Sequence, residues 1–311
     1  MNEMQTKPQK MPFSLAITTK GYNEMISRSI RDPKDVKRFV AAITSAVAVN
    51  PALQDCDPAT ILSGALLGNS LGLSPSPQLG QYYLVPYWNK KKGCNDAQFQ
   101  LGYKGYVQLA LRSGYYKHLN VIAVKAGEMV RFDPLTEDVD FRMIEDEEER
   151  EKAATVGYLA TFEYLNGFRK TIYWSKEKML THADKYSPAF SKDAQTVRGK
   201  GGNTYRKVSF ADYEAGNYPK QDEWMYSSFW YKNFDAMAFK TMLRQLISKW
   251  GIMSIELQTA FEQDTVVNED YMEPADALTP APVELPEPEL VHQMPADAPA
   301  DAEEVVNLND L

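Results

Sequence analysis

Cysteine and histidine are scarce in this chain, at 2 and 3 of 311 residues. Cys56 and Cys94 form no CxxC pair, which excludes a disulfide framework or a cysteine-based zinc site and favours a reducing compartment. His118, His182 and His292 stand apart, without the spacing of metal ligands or of a nucleophile and its base. No run of about eighteen apolar residues occurs, and the opening MNEMQTKPQKMPFS has no apolar stretch of signal-peptide length. The expectation is a soluble cytoplasmic protein with no membrane partner. A phosphate-cradling loop of the form GxxxxGKS/T is missing too, which removes a P-loop ATPase. No catalytic residue, no metal and no cofactor is expected.

What is present is a sizeable core and an uneven charge distribution. Hydrophobic residues make up 44% and aromatics 12% of the chain, enough for one large domain or two small ones. The formal net charge of -8 argues against a polyanionic partner until it is divided along the chain. Of the 42 acidic residues, 14 fall in Glu262–Leu311, which has no Lys or Arg, leaving 34 cations against 28 carboxylates before it. Ten of those 28 cluster between Asp133 and Glu151, so the remaining surface of the body is distinctly basic.

Periodicity and breakers give the organisation. Asp35 to Val49 reads as a core helix, and Asp57-Pro58 opens a second that stops at Pro75 and Pro77. Gln81–Trp88 and Ala97–Leu101 read as a hairpin around the long polar tip NKKKGCND, followed by a helix from Tyr103 that Gly114 stops. Strands are expected at His118–Lys125, Glu128–Phe132, Thr155–Tyr164 and Phe168–Trp174, the last two joined by the Asn166-Gly167 turn. Ser175 to about Lys185 reads as helix, Ser187–Lys220 as an irregular connection, and Trp224–Trp250 as one long amphipathic helix. The class is α+β, an antiparallel sheet with a β-hairpin packed by helices. Three units follow: an N-terminal segment 1–34, partly flexible and available for protomer contacts; a core 35–263; and an acidic tail 264–311. The tail is too polar to offset ordering entropy and is expected to be disordered. Its end, DAEEVVNLNDL, is apolar enough to dock on a partner.

The block from Gln78 to Gly114 interleaves aromatics with cations, a combination suited to single-stranded nucleic acid: cations neutralise phosphates and aromatic faces accept bases of any sequence. Lys104, Gln108 and Arg112 recur every four residues and share one stripe, opposite Tyr106, Leu109 and Ala110. They are the leading phosphate ligands, weighed against a merely solvated face. Lys240 and Arg244, also four apart, are read as a second cationic face beside the apolar arc of Phe239, Met242, Leu243, Leu246 and Ile247. Arg198, Lys200, Tyr205, Arg206 and Lys207 suit a loop that orders on nucleic acid. Tyr103 and Trp88 are stacking candidates against the commoner core role of aromatics. Lys90, Lys91 and Lys92 at the hairpin tip reach either DNA or a neighbouring protomer. The acidic run 145–151 is a solubilising loop or a protomer contact.

Four segments in order, NSLGLSP, LGQYYLVPY, FQLGYKGYVQLALRSG and AFKTMLRQLISKW, closely resemble the RecT family of phage and prophage single-strand annealing recombinases over roughly residues 35–261. The resemblance implies a small curved antiparallel sheet with helices, related in core topology to the lambda Beta protein. It also implies an ATP-independent protein of homologous recombination that coats single-stranded DNA, self-assembles into rings or helical filaments and anneals complements into duplex. Implied partners are an exonuclease and, through the tail, the host single-strand-binding protein. Rival readings are a sequence-nonspecific single-strand shield, a metal-dependent nuclease and a protein scaffold.

Overall fold

The computed structural model describes residues 11–187, 189–198, 204–226, 228–265 and 271–272. Helices α1 (Phe13–Ala16) and α2 (Lys20–Ser29) lead into α3 (Pro33–Val49). The α3 start follows from Asp32, whose carboxylate accepts from the Lys34 amide while Pro33 fills the first turn. After the single turn α4 (Pro51–Gln54), α5 (Pro58–Ser70) begins the same way, with Asp57 accepting from the Ala59 amide. Phe13, Ile17, Ile26 and Ile30 are buried in one cluster with residues of α3 and α5.

Strands β1 (Tyr82–Asn89) and β2 (Cys94–Leu101) pair antiparallel from Tyr82 with Leu101 to Asn89 with Cys94. The tip shrinks to Lys90–Gly93, tighter than the long loop expected, because Asn89 accepts from the Lys91 and Lys92 amides and Gly93 takes a positive φ of 62°. Helix α6 (Tyr103–Arg112) then folds back on the base of the hairpin. Two glycines permit this approach: a Cβ at Gly102 would lie 2.2 Å from the Gly80 carbonyl oxygen, and one at Gly105 2.1 Å from that of Gln81.

Next come β3 (Tyr116–Lys125), β4 (Met129–Phe132), β5 (Val139–Phe141), α7 (Glu147–Lys152), β6 (Thr155–Tyr164), β7 (Arg169–Ser175) and α8 (Lys176–Tyr186). The irregular connection expected after it contains a hairpin, β8 (Gln195–Arg198) with β9 (Thr204–Lys207), and a short α9 (Phe210–Glu214). The single helix expected over 224–250 is three pieces: a 3-10 turn Lys220–Tyr226, α10 (Phe229–Lys232) and α11 (Phe234–Trp250). Ser228 and Asn233 divide it, since each turns its side chain back to cap a new helix, accepting from the Trp230 and Ala236 amides. Helix α12 (Ile255–Thr265) and the pair β10 (Tyr271–Met272) close the described chain.

The architecture is α+β, as expected, with the strands shared among small antiparallel sheets: β10-β1-β2, β3-β6-β7, β4-β5 and β8-β9. Helix α11 lies at the centre, with Met237, Ala238, Met242, Leu243, Leu246 and Ile247 buried against the β3-β6-β7 sheet and α6. Fully burying each of the Met, Leu and Ile side chains contributes about 1.5–3 kcal/mol. The acidic boundary also shifts: residue 264, where the tail was expected to begin, lies inside α12, and residues 266–270 and 273–311 are outside the described residues.

Candidate nucleic-acid interface

The α6 stripe stands in solvent. Lys104, Gln108 and Arg112 are exposed while Tyr106, Leu109 and Ala110 on the opposite face are buried. Gly102 and Gly105 set that orientation by letting the other side of the helix press onto the Gly80–Gln81 backbone. Lys104 extends past Gly80. Arg112 is more constrained: its Nη2 donates to the Leu71 carbonyl at 2.5 Å and its Nε to that of Gln108 at 3.4 Å. The Glu256 carboxyl is held below the usual range by its own amide and the Ser254 side chain, with Arg112 a lesser contributor. A cavity of about 360 Å³ opens beside Arg112, lined by Asn69, Ser113 and Glu256. A second of about 420 Å³, with Arg38 and Gln81, shares Asn69 and Gly72 with the first, so one polar trough passes the end of α5. Arg38 at its far end lies 2.8 Å from Asp35 in α3 and was not among the residues expected from the sequence.

The hairpin tip is a separate place. Lys90 and Lys91 are exposed and Trp88 beside them is 43% exposed. Lys92 instead lies 3.0 Å from Asp96 and 3.6 Å from Asp57, so its charge is matched locally. Eight-residue strands rising about 3.3 Å per residue put this tip roughly 25 Å from α6. The structure therefore does not bring the lysine tip and the α6 stripe together. Tyr103 is half-buried, its ring edge-on to Phe239 at 5.7 Å, which leaves part of it for a ligand.

Lys240 and Arg244 are not a surface face. They are 5% and 2% exposed, and their cationic groups lie 3.1 and 2.8 Å from the Asp264 carboxylate of α12. Asp264 also accepts from the Leu101 amide at 2.9 Å and the Tyr106 hydroxyl at 3.1 Å, and Phe261 sits 4.7 Å from the Arg244 guanidinium. Burial pushes the Lys240 ammonium below its ordinary range against the pull of Asp264, and pushes the Tyr106 hydroxyl well up. Buried cations persist only with a buried counterion, and α12 supplies it. The signal for α12 was present, since Leu257, Ala260, Phe261 and Asp264 follow helical spacing, but acidic composition outweighed it.

The β8-β9 hairpin is mixed. Arg206 is exposed, whereas the half-buried Tyr205 packs edge-on to Trp224 at 5.2 Å. Lys207, expected as a phosphate ligand, is 4% exposed; its ammonium donates to the Ala189 carbonyl at 2.7 Å and lies 4.7 Å from the Tyr231 ring centroid. Burial pushes its pKa down to about 8. The backbone of Arg198 pairs with Thr204, and Lys200 lies outside the described residues. The acidic run forms α7, capped by Asp146, from which Arg150 turns inward to Glu128 at 2.6 Å.

Among the described residues no cluster of His, Cys, Asp and Glu could hold a metal ion, and no helix is long and apolar enough to cross a membrane. The profile of the RecT family matches residues 37–278. An uncharacterized protein of Bacillus subtilis (strain 168), YqaK, is 37% identical over 246 residues, covering 78% of this chain and 70% of that one. Protein RecT of Escherichia coli (strain K12) is 26% identical over 243 residues, 78% of this chain and 76% of its own length.

Proposed function

This chain belongs to the RecT family of DNA-recombination and single-strand annealing proteins, and from that premise we propose that it binds single-stranded DNA by its phosphate backbone, assembles on it with further copies of itself, and anneals complementary strands without ATP. The observation that carries this reading is the exposed stripe of Lys104, Gln108 and Arg112 beside the polar trough, inside the matched region. Annealing requires a strand whose charge is neutralised while its pairing edges stay free, because buried edges cannot sample a complement. Cations and an amide on one helix face meet that requirement: they donate to phosphate oxygens and carry no base-reading geometry. Trp88, Tyr103 and the tip lysines Lys90 and Lys91 serve as secondary contacts, and Arg206 extends the set. Lys92, Lys207, Lys240 and Arg244 are left out, since each is matched or buried within the fold.

The reading contains no chemical step on the DNA. Rings or helical filaments, a partner exonuclease, the host single-strand-binding protein and a cytoplasmic setting complete it. The test is the rate of duplex formation from complementary oligonucleotides without nucleotide cofactor. Acceleration supports annealing. A slowed rate would make the protein a shield, and progressive strand cleavage with Mg²⁺ would make it a nuclease.

A further inference from the structure

A second cationic groove lies between α8 and the last turn of α11, built from none of the residues assigned to DNA so far. It has a volume of about 530 Å³ and is lined by Trp174 at the end of β7, by Lys178, His182, Lys185 and Tyr186 of α8, and by Lys249 of α11. Four-residue spacing along α8 puts Lys178, His182 and Tyr186 on one face. Trp174, His182 and Tyr186 form a row, with ring centroids 5.2 and 4.7 Å apart in turn. Lys178 lies 4.4 Å from the Trp174 ring centroid and Lys185 4.8 Å from that of Tyr186. Glu177, the only carboxylate among the described lining residues, is turned to Lys192. The Lys178 ammonium is held below its ordinary range by burial and then by the charge of Lys249. Lys178 and Lys249 gathered in one groove, with the lining carboxylate Glu177 engaged by Lys192, favour an anionic occupant.

We propose that this groove is a second contact site for single-stranded DNA, in which Lys178 and Lys249 hold a phosphodiester while the Trp174–His182–Tyr186 row receives an adjoining base. Both parts are needed to identify the ligand. An acidic peptide or a free phosphate satisfies the lysines but makes no use of three aromatic rings in a row. A nucleotide unit uses both, because a phosphate on Lys178 carries its own base to the Trp174 ring beneath that lysine. This deepens the single-strand reading and rests on it: α11 packs on α6 and also lends Lys249 to this groove, so one rigid helix connects the two contact regions.

The test uses the full chain and an oligothymidylate carrying 5-iodouracil. In the variant Lys178→Gln/Lys249→Gln, with an unchanged melting curve, Kd at 0.1 M salt is expected to rise about tenfold or more, and the salt slope to fall by about 1.4, two phosphates at ~0.7 each. Photocrosslinks in the wild type are expected at Trp174 or Tyr186, and to persist in Lys104→Gln. Unchanged affinity and slope in the double variant, with crosslinks only on the hairpin and α6, would overturn the groove and leave the functional reading intact. Loss of binding to an acidic peptide of residues 273–311, with strand affinity unchanged, would also overturn it. A wild-type chain that binds no oligonucleotide would remove the functional reading itself.

Discussion

Helix α6 and helix α11 each carry cations at multiples of four residues, Lys104 and Arg112 on one and Lys240 and Arg244 on the other, yet the first set stands in solvent and the second is sealed in the core. Spacing determines that two side chains share a helical face; it does not determine what that face meets. On α6 the opposite face is held down by Gly102 and Gly105 against the Gly80–Gln81 backbone just before β1, so the stripe points outward. On α11 the helix is covered by the β3-β6-β7 sheet and by α6, and α12 brings Asp264 to the two cations. The same residue types are solvent-facing in one helix and structural in the other.

The comparison is broken most severely at Asp264. Replacing it by Ala leaves two buried cations without their shared counterion, and the expected loss is about 3–5 kcal/mol in denaturant unfolding. Lys104→Gln in the same assay is expected to stay within about 0.5 kcal/mol. Equal losses would mean the two helices are not different in kind.

Next in size is Gly105→Ala. Its methyl group would meet the Gln81 carbonyl oxygen at 2.1 Å, so α6 must shift off the hairpin, and the expected cost is about 1–3 kcal/mol, read as a lowered denaturant midpoint. Exposed Gly93, where a Cβ meets nothing within 4 Å but φ is positive, serves as the control for backbone strain alone.

A further effect, spread over the pH scale, is a pH dependence at Lys207. Its folded pKa of about 8 lies below the ordinary 10.5, so between those values the unfolded chain holds more proton than the folded one, and stability rises with pH. Below about pH 8 both states are protonated and the penalty for a buried ammonium is constant. Relative to Lys207→Met, the wild type is expected to gain up to roughly 1.4 kcal/mol per pH unit between about 8 and 10.5. A flat difference would mean the ammonium is better solvated than its burial implies.

Much of this fold was legible. Apolar spacing located α3, the Asp57-Pro58 start located α5, strand-favouring residues located β1, β2, β3, β6 and β7, and four-residue recurrence oriented α6. What was not legible depended on distant partners. Asn233 and Ser228 divide the long helix because each finds an amide to cap, while their surroundings read as uninterrupted helix. Lys240 and Arg244 looked like a surface because their counterion lies twenty or more residues on, in a helix masked by the acidic composition around it. Lys207 looked like loop charge because the Tyr231 ring and Ala189 carbonyl that cover it belong to other segments. The groove at α8 was missed for a related reason: its lysines and rings come from β7, α8 and α11, and no single window contains them.

The most direct test of the central claim is the salt dependence of single-strand affinity for the wild type and Lys104→Gln. If α6 grips phosphate, the log–log slope of the variant is shallower by about 0.7, with its stability unchanged. An identical slope in the two proteins would place the strand elsewhere and contradict the account.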